Sequence, residues 1–156
     1  MSNKPITVGA LVAEMTAALS RNPQAVPDAH QEALWILDEL GGISTEIAVA
    51  YPEHIIPEVM ASVLRQAVQR RALGEPLAYI LGSVDFYGRK FLVDRRVLIP
   101  RQETEIVVET CLNCLSAPRP AVRAPRVLDI GTGTGSIPIT LCAEDPPIHT
   151  VALDLS

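Results

Sequence analysis

The sequence predicts an α + α/β chain: a small N-terminal helical bundle, a β-hairpin linker, and one β-α-β unit that opens an α/β sheet without completing it. Three observations predict it. Apolar residues recur at helical spacing through the first 74 residues. Around Gly88 the period shortens to that of strands. Finally, Arg126–Ile130 runs straight into a glycine cluster, a helical stretch and a second strand ending at Asp154. The corresponding segments are 1–74 (helical, substrate recognition), 75–101 (linker with hairpin) and 102–156 (start of the α/β domain).

Each element has a local reason. Thr7 is placed to cap a helix carrying Val8, Leu11, Val12, Met15 and Leu19 on one face. Asp28 opens a second helix through Ala33, Leu34, Trp35, Ile36, Leu37 and Leu40, which Gly41-Gly42 ends. Ser44 or Thr45 caps a short third helix stopped by Pro52. Pro57 suits the first turn of a fourth, along which Val59, Met60, Val63, Leu64, Ala67, Val68 and Arg71 run toward Gly74. Val84–Tyr87 and Lys90–Val93 are expected to pair across Gly88-Arg89, with Phe86, Tyr87 and Phe91 packing. Val97–Pro100 is expected to be extended. Glu103–Leu115 is expected to be helical, with Ile106, Val107 and Leu112 on its apolar side and Glu103 and Glu105 at the electropositive end. Residues 116–125, with three prolines, should form a loop. Arg126–Ile130 reads as a buried parallel strand, Ser136–Glu144 as a helix broken by Asp145-Pro146-Pro147, and Ile148–Leu153 as its parallel partner through a right-handed crossover.

Composition narrows the function. The 156 residues are 48% hydrophobic and 20% charged, which excludes a disordered tail or a collagen-like repeat. Apolar runs such as Ile47–Tyr51 are far short of the roughly 18 residues a membrane span needs. No export signal is read at the N-terminus, and three cysteines are too few for a disulfide scaffold, so a cytoplasmic location is expected. The net charge of −5 is unevenly spread, with eleven basic and six acidic residues in 61–126 between two acidic ends. The overall sign argues against strong binding to duplex nucleic acid, and no specific nucleic-acid partner is expected.

The chemistry concentrates in the last thirty-one residues. Gly131-Thr132-Gly133-Thr134-Gly135 lies between a strand and a helix, where glycine permits close backbone approach and the helix start offers free N–H groups. An acid at the tip of the next strand, Asp154, is placed to accept hydrogen bonds from ribose hydroxyls. Ser136 occupies the position where a nicotinamide fingerprint needs its third glycine, and no lysine follows as a phosphate-binding P-loop needs. Cys111 and Cys114 fall near a helix C-terminus, away from the end that stabilises thiolates, and are expected as buried helix residues. No metal site is expected, and Glu103 and Glu105, two apart on a helix, face different ways.

With Asp129 two residues ahead of Gly131, the loop resembles the first motif of the class I methyltransferases, which bind S-adenosylmethionine. Upstream lie Gly74-Glu75-Pro76-Leu77-Ala78-Tyr79-Ile80-Leu81-Gly82, Asp85-Phe86-Tyr87-Gly88 and Leu98-Ile99-Pro100-Arg101-Gln102-Glu103-Thr104-Glu105. Together they resemble the N5-glutamine methyltransferases that modify peptide chain release factors, the HemK/PrmC family. Gln102 departs from the family's usual second proline, which leaves Arg101 less rigidly placed. The resemblance implies a Rossmann-like domain, S-adenosyl-L-methionine as cofactor, and a release factor as partner, with the glutamine amide of its Gly-Gly-Gln loop as acceptor. It implies cofactor binding by Asp129, Gly131, Thr132, Gly133, Thr134, Gly135 and Asp154, and a substrate-side role for Arg101 or else a structural ion pair. It also implies that an Asn-Pro-Pro-Tyr loop orients the acceptor amide, a poor nucleophile, by position and electrostatics.

That loop is not in these 156 residues, and all six aromatics precede residue 92. No catalytic residue is therefore assigned, and the chain is expected to be a truncated member, inactive alone. Two alternatives stand beside this reading: a ribosomal-protein glutamine methyltransferase, and a non-catalytic module that binds release factors.

Overall fold

The structure, a computed structural model, describes residues 5–116, 124–145 and 147–155. Most of the loop expected at 116–125, and Pro146 of the expected breaker, lie outside the described residues. Residues up to Leu81 form one compact unit and those from Gly82 a second.

The first unit opens with β1 (Ile6–Thr7) and α1 (Val8–Leu19), followed by α2 (Ala29–Gly41), α3 (Thr45–Ala50), β2 (Ile55–Ile56), α4 (Glu58–Ala72) and α5 (Leu77–Leu81). Local side-chain chemistry sets the helix ends. Thr7 accepts a hydrogen bond from the Ala10 N–H, Asp28 from Gln31 and Ser44 from Ile47, each satisfying a donor that has no partner inside the helix. Gly42 closes α2 in the left-handed conformation (φ 64°), which favours glycine. Two-residue strands β1 and β2 pair antiparallel, Ile6 opposite Ile56; they are too short to show in a periodicity.

Val8, Leu11, Met15 and Leu19 of α1, Ala33, Ile36 and Leu37 of α2, and Ala61, Leu64 and Val68 of α4 form the core. On α4 the buried seam differs from the expected one. Val59 is 80% exposed and Val63 half exposed, whereas Ala61, Leu64, Ala67, Val68 and Arg71 face inward. Small Ala61 and Ala67 leave room for neighbouring helices, and the valines fall on the flank. Trp35 is likewise half exposed on α2. The helical unit continues past residue 74 because α5 returns Ile80 to the core.

A buried ion pair crosses this unit. The Arg71 guanidinium donates to both carboxylate oxygens of Glu32 (2.5 and 3.0 Å) and also to the carbonyls of Glu75 and Ala25. Both side chains are about nine-tenths buried. On the surface, Arg65 bridges Glu14 and Glu58, and Arg70 pairs with Glu75.

In the second unit, β3 (Ser83–Phe86) and β4 (Arg89–Leu92) form an antiparallel hairpin. It turns through Tyr87-Gly88, one residue earlier than expected. Both turn residues take positive φ (50° and 68°), the combination that suits a two-residue connection between twisted strands. Glu105 holds Tyr87 in that conformation by accepting its N–H at 2.7 Å. Phe86 and Phe91 meet edge to face at 5.9 Å. Val97–Pro100, expected as an extended run, is irregular. A 3-10 turn (Gln102–Thr104) leads into α6 (Glu105–Leu115). The buried residue of α6 is Val108, with Cys111, Leu112 and Leu115 beside it, while Ile106 and Val107 are exposed. Phe86, Phe91, Val108, Leu141 and Ile148 share one core, so the segment expected as a linker is divided between the two units.

β5 (Arg126–Ile130), α7 (Ser136–Glu144) and β6 (His149–Leu153) complete the unit. β5 and β6 pair in parallel, Arg126 opposite His149 through Ile130 opposite Leu153. The expectation of a buried strand fails here. Leu128 is 57% and Ile130 76% exposed, and Val151 and Leu153 of β6 share their open face. α7 packs on the strands and against α6, while no described element covers the Leu128–Leu153 side.

Three outcomes are expected. Arg71→Ala should destabilise the first unit by about 3–5 kcal/mol in urea unfolding, because it strands a buried carboxylate, while Glu32→Leu with Arg71→Met should recover most of that loss. Thr140 is fully buried and its hydroxyl has no partner. Thr140→Val should therefore raise stability by about 1 kcal/mol in the same assay. Asp94, exposed after β4, is bound by the Arg96 side chain and then by its backbone N–H, which together lower its carboxyl from 3.8 to about 2. A depressed folded value means that the stabilisation is complete above the ordinary aspartate range and disappears as pH falls through about 2. A carboxyl NMR titration should place the Asp94 midpoint near 2, and Arg96→Gln should return it toward 3.8.

Candidate functional site

Parallel pairing of β5 and β6 brings the carboxyl ends of both strands to one edge, and the sequence-predicted residues gather there. Gly131, Gly133 and Gly135 have φ of 82°, 53° and 74°, all in the left-handed region that side chains disfavour. The loop closes over the end of β6: the Gly131 and Thr132 N–H groups both donate to the Leu153 carbonyl, at 2.8 and 3.1 Å. Gly135 donates back to Thr132 at 2.9 Å and caps α7 with no side-chain hydrogen bond. Pro138, in the first turn of α7, has no N–H to lose there.

Asp154 reaches into this loop. Its Oδ2 accepts the Gly133 N–H at 2.6 Å and its Oδ1 accepts the Leu155 N–H at 2.8 Å. A carboxylate has about four acceptor positions and can hold several donors at once. Asp129 and Thr132 each hold a buried oxygen with no hydrogen-bond partner, Oδ2 and Oγ1. Open space lies beside Gly131 and Gly133, where a built Cβ would meet nothing within 4 Å; at Gly135 it would come within 3.1 Å of Ile139 Cδ1. Thr134 completes the loop.

Asp154 borders two clefts. One, of about 490 Å³, lies between Gly133 and the exit of the hairpin, where Val93, Asp94 and Arg96 form its wall. The other, of about 460 Å³, is mostly apolar and lined by Ile130, Gly131, Leu153 and Leu155. The Asp94–Arg96 pair (2.5 Å) was not foreseen as part of the site. The local Asp-x-Arg pattern was visible, but its place opposite Gly133 depends on the tertiary fold.

Arg101 is exposed on extended backbone ahead of the 3-10 turn, where its carbonyl accepts the Thr104 N–H. No ion pair to Arg101 is found among the described residues. Of the two cysteines expected to be buried, Cys114 is exposed and Cys111 partly so; Cys142 is also partly exposed, and none of the three is in a disulfide. The Cys142 thiol lies 3.3 Å from the Thr150 hydroxyl. No cluster of metal-binding side chains occurs among the described residues, and no helix among them is long and apolar enough to cross a membrane.

Residues 10–82 match the family model described as the PrmC N-terminal domain. The release factor glutamine methyltransferase of Nitratidesulfovibrio vulgaris is 47% identical over 105 residues, covering 67% of this chain and 34% of that protein. The protein of the same name from Bradyrhizobium diazoefficiens is 35% identical over 144 residues, covering 92% and 48%. A bifunctional methyltransferase of Rickettsia bellii is 33% identical over 133 residues, covering 71% and 24%. The chain thus spans half or less of the length of these relatives. With its helical unit matched by the family model and its glycine loop within the reach of the longer alignment, the chain belongs to the HemK/PrmC family.

Proposed function

We propose that this chain carries the S-adenosylmethionine-holding start of a release factor glutamine N5-methyltransferase. The observation that carries the reading is the pair of buried, unpartnered oxygens on Asp129 and Thr132 beside a glycine loop with open space at Gly131 and Gly133. Buried polar atoms without partners are rare in folded proteins, and here they flank a backbone stripped of side chains. The residues fit the cofactor's chemistry. Asp154 presents a carboxylate at the edge of both clefts, the Ile130–Leu153–Leu155 cleft suits the faces of a purine, and the more polar cleft beside Gly133 suits an amino-acid moiety. When bound, the cofactor supplies an electrophilic methyl group.

The contribution of this chain is positional. Left-handed glycines let the backbone approach the ligand, Asp154 holds the Gly133 amide and orients the loop, and Arg101 is assigned to the acceptor side. The names of the relatives favour a release factor over a ribosomal protein as acceptor. The helical segment 1–74 is assigned to recognition of that partner, and a cytoplasmic location follows from the same reading. The sequence contains no Asn-Pro-Pro-Tyr run, so the 156 residues are assigned cofactor holding without methyl transfer.

Calorimetry of the full chain with S-adenosylmethionine tests this. Binding is expected, with a ligand-dependent rise in unfolding temperature, and Asp154→Ala should weaken it at least tenfold while leaving the far-UV circular dichroism unchanged. Neither heat nor thermal shift at millimolar ligand would overturn the cofactor assignment. Release factor added with methyl-labelled cofactor should remain unlabelled; turnover would overturn the separation of holding from transfer.

A further inference from the structure

The cleft between Gly133 and the hairpin exit carries an uneven set of charges. Two carboxylates line it, Asp94 and Asp154, and among the described residues of its lining Arg96 is the one cation. The Gly133 N–H is already given to Asp154 Oδ2 at 2.6 Å. An anionic group entering the cleft therefore has Arg96 as its cationic partner. The local backbone holds Arg96 at that wall. Val93, 5% exposed, anchors the exit of β4 through its N–H to the Gly82 carbonyl at 3.0 Å. The chain then turns, with the Val97 N–H on the Asp94 carbonyl at 3.2 Å and the Arg96 N–H on Asp94 Oδ1 at 2.9 Å. Aspartate favours such turns because its side chain bonds its own backbone two residues on.

The same carboxylate grips the guanidinium through Nε and Nη2. That grip keeps the Asp94 carboxyl ionised down to about 2, so the pair is intact at neutral pH. A guanidinium presents its N–H donors in one rigid plane. With one edge on Asp94, the Nη1 side has no partner among the described residues, and the side chain is otherwise open, 87% exposed. S-adenosylmethionine has a charge pattern that mirrors this cleft. Its amino-acid end carries a sulfonium, an α-ammonium and an α-carboxylate, two positive charges and one negative, where the cleft has two negative and one positive. Potentials matched in this way select a ligand against its wrongly charged analogues. Resting on the cofactor reading above, we propose that Arg96 selects the cofactor's amino-acid end by donating from its Nη1 side to the α-carboxylate, with Asp94 as the positioning residue that fixes the guanidinium.

Calorimetry of the full chain with S-adenosylmethionine and with its decarboxylated form, which keeps the sulfonium and the amine, tests this. The unaltered chain should prefer the carboxylate-bearing ligand about tenfold, as one charge-assisted contact gives. Arg96→Gln should abolish that preference without weakening the decarboxylated ligand. Arg96→Lys keeps the charge but not the planar fork, and should lose most of the preference. Asp94→Asn frees the guanidinium, so the preference should fall although the cleft has become more positive. Four results would each overturn the role of Arg96 while leaving the cofactor reading in place. They are equal binding of the two ligands by the unaltered chain, equal weakening of both by Arg96→Gln, full preference in Arg96→Lys, and a preference that rises in Asp94→Asn. Failure of the unaltered chain to bind either ligand would overturn both.

Discussion

A parallel pair of strands must end on the same edge, and in this chain that constraint places the candidate chemistry. Because Ile130 lies opposite Leu153, the polypeptide leaving β5 meets the polypeptide leaving β6. The Leu153 carbonyl then receives two loop N–H groups and Asp154 receives a third. The glycines are required by this geometry before any ligand is considered. A loop that folds back over a neighbouring strand end within five residues needs left-handed backbone at alternate positions, and a side chain at each would be strained. The open space beside Gly131 and Gly133 is a second property of the same residues, and it is the one the proposed cofactor site uses.

What was legible in the sequence was local. Thr7, Asp28 and Ser44 cap helices as their positions indicate, because a cap involves residues three apart. The run from Asp129 to Asp154 was legible for a related reason: spacing alone carries a strand, a turn and a helix. The direction in which an apolar residue faces was less so. On α4, Val59 and Ala61 are both apolar at positions compatible with a helical stripe, and only the neighbouring helices decide that Ala61 is buried. The same holds for Val107 and Val108 on α6. Contacts between distant residues were invisible: Glu32 and Arg71 are 39 positions apart, and neither carries a local sign of the other. The hairpin slipped by one residue because Tyr87, unlike glycine or asparagine, gives no warning that it will adopt positive φ; the acceptor that makes this tolerable, Glu105, lies 18 residues downstream.

The two units solve the problem of burying apolar surface differently. In the first, every helix returns side chains to one core, and its most costly feature, the Glu32–Arg71 pair, has its donors and acceptors matched. In the second, Phe86, Phe91, Val108, Leu141 and Ile148 form a smaller core on one side of a two-stranded sheet, and Leu128, Ile130, Val151 and Leu153 remain open on the other. Among the described residues, nothing covers that face.

The open face and the glycine loop are nevertheless separable in physical terms. Loop shape depends on φ values at three glycines, on the Leu153 carbonyl and on Asp154, all of which are satisfied by atoms within or next to β5, β6 and α7. None of those bonds uses the side chains of Leu128 or Val151. Covering the open face would add apolar burial and stiffen the strands, but it would not supply a missing partner to the loop. The groups that hold a cofactor in the proposed reading are therefore short-range in sequence and self-supporting, whereas orienting a weakly nucleophilic amide requires a donor and acceptor fixed from elsewhere. Holding and transfer are distinct physical tasks, and the proposed reading gives the residues described here the first.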